Sequence, residues 1–397
     1  MKFIVQIFLI YAVLELLIYK YIKNLSKKIK WILIKKKLIS VFSEEKFKNF
    51  KKYNYNYFLG WDKKPNSSNF DLHNNKKVFY SFDKEGFRKS KFNKKKNFIA
   101  TFGDSYTFCR QVSNSQTWQE IISSKIKNFV SNYGVGNYGL DQSFLKYKVT
   151  KIKKETKIVI FGFVPETICR IQSCWKYYLE FGNVHGFKPF CFIKNNKIII
   201  HNNILKKNSK FTNIKNVITK SKAMDRFYYE KYSKYIFKFS YILSFIKNFF
   251  YNINIFYMHI KFLVENKNKK NPKVLEDYIF PVIMKKNITT SHLLYLEKYS
   301  KYLLEKLIEK ISTNIKKDKK CYFVIFPQLF DLKLNSRKHY RIFFNKLKNK
   351  YNIIDLTNNF LKIKDYKKFF TNDKYGGHLN YKGNLFVANI LKDQINY

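Results

Sequence analysis

Apolar runs alternate with amphipathic helical stretches in two parts of this chain. The pattern predicts strands at 97–102, 129–135, 157–163, 321–326 and 352–356, and helices at 117–127, 141–154 and 337–349. Parallel strands need long crossover connections, and helices usually supply them. The alternation therefore predicts an α/β fold with a parallel sheet and helices on both of its faces.

A Gly-Asp-Ser-Tyr-Thr-Phe segment, residues 103–108, directly follows the first predicted strand. Active residues of parallel sheets cluster at the carboxyl ends of the strands. Ser105 lies at such an end, just ahead of a helix, where backbone N–H groups favour negative charge. This position suits a nucleophile whose attack creates an oxyanion, with Gly103 allowing a sharp turn. Gly-Asp-Ser is also ordinary turn chemistry, so a turn serine is the alternative.

A second segment near the C-terminus contains a histidine and a carboxylate. Asp373 precedes His378, and a helix is predicted at 385–395. Ser105, Asp373 and His378 follow one another in the chain order of a hydrolase triad on an open α/β sheet. The other histidines show no metal-ligand spacing, so no metal site is predicted.

Together the two segments resemble the SGNH, or GDSL, hydrolase family, over roughly residues 97–165 and 320–395. The resemblance implies a three-layer, flavodoxin-like parallel sheet and a serine ester hydrolase that needs no cofactor. It implies Ser105 as the nucleophile, His378 as the base and Asp373 as the carboxylate that orients the imidazole. In the family the aspartate stands three residues before the histidine, where this chain has Tyr375.

The resemblance also implies an oxyanion hole built from backbone N–H groups of Ser105 and of Gly136 or Asn137. The family completes this hole with an asparagine side chain after the third strand. Here the strand is followed by residues 163–166, Phe-Val-Pro-Glu, and no asparagine is present. Losing one such donor typically costs a factor of about 10²–10³ in rate.

A closer resemblance is to membrane-anchored bacterial proteins of the same clan. The shared strings are Gly60-Trp61, Asp83-Lys84-Glu85-Gly86-Phe87-Arg88, the Ser105 segment and Thr117-Trp118. Some related branches move or remove acetyl groups on cell-surface polysaccharides. The resemblance thus implies an ester-bearing substrate, either a glycan or a lipid. A surface-polysaccharide O-acyltransferase and a catalytically decayed binding module are the alternatives.

An apolar run from Phe3 to Tyr19 opens the chain and predicts a membrane anchor over residues 1–23. No small-residue cleavage site follows it, which favours an uncleaved anchor over a signal peptide. An amphipathic surface helix is the alternative. The lysines after the run favour a cytoplasmic location for the rest of the chain. The family resemblance implies an extracytoplasmic location instead, and this second placement is preferred.

The formal net charge is +51, from 78 basic and 27 acidic residues, but only six of the basic residues are arginines. Specific phosphate and base recognition depends largely on arginine. The lysines are spread along the whole chain, in a composition typical of an AT-rich genome. No nucleic-acid partner is therefore predicted, whereas attraction to anionic lipid surfaces is.

The remaining organisation is an irregular N-terminal extension at 24–92 and a hydrolase-like domain at 93–397 with a helical insertion at about 167–285. Within the insertion, residues 232–264 are rich in Phe, Tyr and Ile. Helical spacing would put these side chains on one face, which favours a packed helical cap. A helix that covers the substrate or lies on a membrane is the alternative. A further amphipathic helix is predicted at 291–315.

Overall fold

The computed structural model describes residues 2–29, 32–34, 42–73, 76–180, 185–267, 274–334, 338–373 and 377–395. The strands are β1 (Tyr55–Asn56), β2 (Gly60–Trp61), β3 (Ser68–His73), β4 (Lys76–Ser81), β5 (Asn97–Gly103), β6 (Phe129–Asn132), β7 (Ile158–Phe163), β8 (Phe190–Lys194), β9 (Lys197–His201), β10 (Lys320–Ile325) and β11 (Asn352–Asp355). The helices are α1 (Lys2–Lys28), α2 (Glu44–Tyr53), α3 (Ser105–Phe108), α4 (Trp118–Ile126), α5 (Leu140–Val149), α6 (Thr167–Arg170), α7 (Lys176–Glu180), α8 (Ile214–Met224), α9 (Arg226–Glu230), α10 (Tyr241–Lys247), α11 (Phe249–Asn266), α12 (Leu275–Leu294), α13 (Lys298–Asn314), α14 (Leu329–Lys333), α15 (Lys338–Leu347), α16 (Thr357–Leu361) and α17 (Tyr381–Gln394).

Five of the strands form one parallel sheet in the order β11-β10-β7-β5-β6. The predicted α/β class with a parallel sheet is confirmed. The chain first moves from β5 outward to β6 and then returns to the other side of β5 to form β7. A crevice opens at such a reversal, at the carboxyl ends of the two strands, and open α/β sheets bind ligands there.

Both faces of the sheet are buried, because the apolar side chains of each strand alternate between two cores. On β7, Val159, Phe161 and Phe163 belong to one core, whereas Ile158 and Ile160 belong to the other. Helices α5, α13 and α15 contribute to the first core, and α4 and α17 to the second. A strand buried on both faces needs an almost continuous apolar sequence, which is why these strands were predictable.

The predicted helix at 291–315 is wrong as a single element. Helix α12 ends at Leu294 and α13 starts at Lys298. The side chain of Tyr295 is buried between them, and its hydroxyl donates a hydrogen bond to the Pro165 carbonyl at 2.7 Å. A tertiary contact therefore interrupts a helical pattern that continues in the sequence.

The extension at 24–92 is more regular than predicted, since it contains α2 and the antiparallel hairpins β1–β2 and β3–β4. The insertion likewise contains an unpredicted hairpin, β8–β9. Asn195 and Asn196 form its turn with φ values of 49° and 57°. Asparagine in this left-handed region is typical of two-residue hairpin turns, so the Asn-Asn pair was the signal that could have predicted it.

Helix α1 is the N-terminal apolar helix that the sequence predicts. Among the described residues it is the helix long and apolar enough to cross a membrane. A signal sequence has the same length and composition, so this property alone is weak evidence for an anchor.

Candidate active site

The turn between β5 and α3 holds Ser105 at the carboxyl edge of the sheet. The Asp104 carboxylate accepts hydrogen bonds from the N–H groups of Tyr106 and Val164, both at 2.9 Å. A Cβ atom on Gly103 would lie 2.0 Å from the Gly162 carbonyl oxygen on β7. Glycine is therefore needed here for close approach to the neighbouring strand, rather than for the sharp turn that the sequence suggested.

The three predicted triad residues lie together in the structure. The Ser105 hydroxyl is 2.9 Å from Nε2 of His378, and Nδ1 of the same ring is 3.3 Å from the Asp373 carboxylate. Ser105 and His378 are 7% and 8% exposed, so both are nearly buried yet reach the surface. The arrangement lets the imidazole take a proton from the hydroxyl while the carboxylate fixes the other ring nitrogen.

Besides the imidazole ring, three donors from the described part of the chain bind Asp373. Its Oδ2 atom accepts hydrogen bonds from the Thr371 hydroxyl at 2.6 Å, the Gln111 amide at 3.0 Å and the His378 N–H at 3.1 Å. Burial alone would raise the pKa of Asp373, but the charge of His378 and the hydrogen bonds from the His378 ring, the Thr371 hydroxyl and the His378 N–H hold it below its ordinary value. The group is therefore an ionised acceptor at neutral pH. Tyr375, at the family's usual aspartate position, lies outside the described residues.

Contacts from the Ser105 segment bring the distant His378 segment to it. The Tyr106 ring stacks on the His378 ring at 5.1 Å, and its hydroxyl donates to the Gly377 carbonyl at 2.7 Å. The Trp118 N–H, at the start of α4, donates to the side chain of Asn384 on α17 at 3.3 Å. Tyr106 and Trp118 belong to strings noted in the sequence, but neither they nor Asn384 were given a role in placing His378, because a tertiary contact leaves no periodic signal in one sequence.

The predicted oxyanion loop lies beside α3. The Val135 N–H donates to the Gly103 carbonyl at 2.9 Å, which ties the loop to the end of β5. The N–H groups of Ser105, Gly136 and Asn137 make no hydrogen bond within the described part of the chain. Asn137 has φ 69°, in the left-handed region that asparagine tolerates better than most residues. These three donors are thus available to bind an oxyanion.

Side chains bind the carbonyl groups of this loop. The Trp61 indole donates to the Gly136 carbonyl at 3.1 Å, Lys176 to the Asn137 carbonyl at 3.3 Å and Arg170 to the Tyr138 carbonyl at 3.1 Å. In a trans peptide the C=O and the following N–H point in opposite directions. Trp61 therefore fixes the orientation of the Asn137 N–H, although sequence reasoning assigned it no role.

The turn after β7 contains no side chain that could replace the family's asparagine. The Val164 N–H is already bound to Asp104, and Pro165 has no N–H. Glu166 forms a buried ion pair with Arg170 at 2.7 Å, and the same arginine lies 3.5 Å from Asp104. Burial alone would lower the pKa of Arg170, but the Glu166 and Asp104 carboxylates outweigh it and raise that pKa. These ion pairs link the turn after β7 to Asp104, the residue before Ser105.

The Asp-x-x-Gly-Phe-Arg string places a buried arginine against the other end of α3. Arg88 donates to the carbonyls of Phe108, Cys109 and Val112 at 2.6, 2.9 and 2.8 Å. Burial lowers the pKa of Arg88 to about 10, so it remains charged at neutral pH. The extension thus supplies the groups that satisfy carbonyls at the C-terminal end of this short helix.

A cavity of about 370 Å³ adjoins the oxyanion loop. Aromatic, amide and basic side chains line it together with the loop backbone: Phe50, Asn54, Trp61, Asp62, Lys63, Asn69, Tyr80, Phe108, Arg110, Val135, Gly136 and Asn137. Its size lies within the range of small-molecule sites. Because Gly136 and Asn137 border the cavity, a molecule bound there would lie beside the predicted oxyanion donors.

The described residues contain no group of three or more His, Cys, Asp or Glu side chains that could hold a metal ion. His292 and Asp331 form a buried pair at 2.6 Å. Two ligands of this kind fall short of a zinc site, which takes at least three protein ligands.

Comparison with known proteins gives no further identification. No protein-family model matches the chain, and no curated protein is significantly similar to it. The functional assignment therefore depends on the geometry of the site.

Proposed function

We propose that this protein is a serine ester hydrolase of the SGNH type, on a flavodoxin-like three-layer sheet. The observation that carries the proposal is the chain of contacts from Ser105 Oγ to His378 Nε2 at 2.9 Å and from His378 Nδ1 to Asp373 at 3.3 Å. The strand order supports the fold type, because renumbering the five strands along the chain gives 2-1-3-4-5, the flavodoxin-like order. Ser105 follows a strand at the reversal point of that order.

The mechanism proceeds in two halves. Ser105 Oγ attacks the ester carbonyl carbon while His378 Nε2 takes the hydroxyl proton, and Asp373 stabilises the resulting imidazolium. The N–H groups of Ser105 and Asn137 bind the oxyanion. The tetrahedral intermediate then expels the alcohol, which receives the proton from His378. Water, deprotonated by the same imidazole, attacks the acyl-serine ester and releases the acid and free Ser105.

The absence of the asparagine donor sets the expected rate. With backbone donors alone, we expect an esterase slower by about 10²–10³ than one with a complete oxyanion hole. This deficit also motivates the alternative of a decayed binding module. If a sugar hydroxyl replaces water in the second half, the protein is instead an O-acyltransferase.

Fluorophosphonate labelling of the full chain tests the proposal. We expect Ser105 to displace fluoride and form a phosphonyl ester in the wild type and in Ser124→Ala, and Ser105→Ala to remain unlabelled. Ser124 is the matched control, because it lies on α4 and is half-buried. Absence of labelling in the wild type would favour the decayed module. Supplying an acetyl ester with and without an oligosaccharide acceptor then distinguishes transfer from hydrolysis.

Replacing Trp61 by phenylalanine tests the proposed oxyanion loop. The ring is retained, but the hydrogen bond to the Gly136 carbonyl at 3.1 Å is lost. We expect the rate of phosphonylation to fall roughly fivefold, since one hydrogen bond contributes about 1 kcal/mol. Hydrolysis of p-nitrophenyl acetate should fall in kcat rather than rise in KM. An unchanged kcat would show that the indole does not position the loop.

A further inference from the structure

Helices α10 and α11 expose many apolar side chains. On α11, Phe250, Ile253, Tyr257, Ile260 and Val264 recur at alternating spacings of three and four residues, so they form one apolar stripe along the helix. Phe250 is 81% exposed and Val264 is 70% exposed. The buried face of α11 carries Asn252 and Ile255 and packs on α12. A surface helix of a water-soluble domain carries charged or polar side chains on its exposed face instead.

The same two helices contact the C-terminal half of α1. The Tyr19 ring lies 4.9 Å from the Tyr241 ring of α10, and the Tyr21 ring lies 5.4 Å from the Phe256 ring of α11. The Tyr21 hydroxyl is also 3.2 Å from Nδ1 of His259. The exposed surfaces of α10 and α11 therefore lie beside the predicted membrane helix.

Glu15, the carboxylate within the apolar part of α1, is bound by the start of α10. Its Oε2 accepts a hydrogen bond from the Tyr241 N–H at 2.7 Å, and its Oε1 accepts from the Ile242 N–H at 3.4 Å and from the Ser240 hydroxyl. A carboxylate at membrane depth is costly unless its oxygens are satisfied in this way. These contacts also make α1 part of the folded protein, which a cleaved signal sequence would not be.

The length of α1 decides how deep its neighbours lie. Every side chain from Lys2 to Leu14 is exposed, and this stretch is about 20 Å long at about 1.5 Å per residue. A bilayer's hydrocarbon core is about 30 Å thick. For α1 to span it, the part of the helix around Glu15 and Tyr19 must also enter the membrane. The adjoining α10 and α11 must then reach the lipid as well.

We infer that the apolar stripe of α11, together with Leu243 and Ile246 of α10, is embedded in the boundary between lipid headgroups and acyl chains. The partner is the bilayer that α1 enters. Lys238 and Lys247 are exposed close to α10 and suit anionic headgroups. The alternative of a membrane-surface helix is thus favoured over a packed cap, and the inference does not depend on the chemistry of Ser105.

Environment-sensitive fluorophores on single introduced cysteines test this placement in the full chain. Phe250→Cys probes the stripe, Phe8→Cys probes α1, and Tyr381→Cys is the control on α17, which packs over the other core of the sheet. The native cysteines are buried or half-buried, and unlabelled wild type provides their background. The protein is bound to vesicles of phosphatidylcholine and phosphatidylglycerol, with quencher either on the acyl chains or as aqueous iodide.

We expect fluorophores at positions 8 and 250 to be quenched by the acyl-chain quencher and protected from iodide. The fluorophore at position 381 should be quenched by iodide and not by the acyl-chain quencher. If position 8 is in lipid and position 250 remains open to iodide, α1 alone anchors the protein and the inference is wrong. It is equally wrong if neither position is protected.

A second measurement does not depend on the fluorophore. The double change Leu243→Lys and Phe250→Lys replaces exposed side chains, so we expect the fold to be retained. Because α1 still anchors all three proteins, the measurement is amide hydrogen exchange of α11 with and without vesicles. We expect vesicles to slow this exchange in wild type and in Tyr381→Lys but not in the double variant, and equal slowing in all three proteins would contradict a lipid-embedded stripe.

Discussion

Changing His378 to alanine is expected to reduce ester hydrolysis by a factor of about 10²–10⁴, the usual contribution of a general base. Without the ring, no described side chain remains within hydrogen-bond distance of Ser105 Oγ to take its proton. The same variant should also lose most of its reactivity toward a fluorophosphonate, because the reagent requires the same activated hydroxyl. Initial rates with p-nitrophenyl acetate and the second-order labelling rate measure both effects.

Two further variants separate chemistry from folding. His378→Gln retains a polar side chain at the site but supplies no base, so it should retain the melting temperature better than His378→Ala while being equally inactive. His201→Ala is the matched control, because His201 lies on β9 and is not part of the candidate site. This variant should retain the wild-type rate. Activity that survives in both His378 variants would contradict a Ser105–His378 pair.

The parallel sheet was predictable because its central strands are buried on both faces. Ile158 to Phe163 is apolar throughout, and such a run at strand length has few other interpretations. The ends of the strands were less predictable where residues beyond a strand still form hydrogen bonds to the neighbouring strand. Residues 133–135 were assigned to a strand that ends at Asn132, yet Tyr133 and Val135 still donate to the carbonyls of Thr101 and Gly103.

The candidate site was predictable only in its chemically distinctive members. Ser105, Asp373 and His378 could be selected because their side chains carry chemistry and because two short segments resembled a known family. Tyr106, Gln111 and Trp61 contribute hydrogen bonds to the same site. Sequence reasoning assigned none of the three a role in the site, because each acts through a partner that is distant in the chain.

The roles of residues in the N-terminal extension could not be predicted from the sequence either. Gly60-Trp61 and Arg88 were noted as strings that accompany the serine turn, but nothing in their spacing indicated why. In the structure Arg88 donates to carbonyls at the end of α3 and just after it, and Trp61 binds the predicted oxyanion loop. The extension therefore holds both ends of the candidate site in place.

Gly134→Ala is expected to have the second large effect, because it would move the predicted oxyanion loop away from α3. A Cβ at this position would lie 2.4 Å from the Phe108 nitrogen and 2.7 Å from the Thr107 carbonyl carbon. Both are backbone atoms that cannot rotate away, so the loop must shift. We expect a destabilisation of about 1–3 kcal/mol from overpacking. Displacing the donors by about 1 Å should cost about 10² in the labelling rate of Ser105.

Gly136→Ala is the control for stability, since a Cβ at this position of the same loop meets no atom within 4 Å. The two substitutions add the same methyl group, so a difference in melting temperature between them reports the contact with α3 alone. Thermal unfolding and fluorophosphonate labelling should be measured on both proteins. If Gly134→Ala unfolds and reacts like Gly136→Ala, then the loop does not pack against α3, and this result would contradict the Asn137 N–H as the donor that binds the oxyanion.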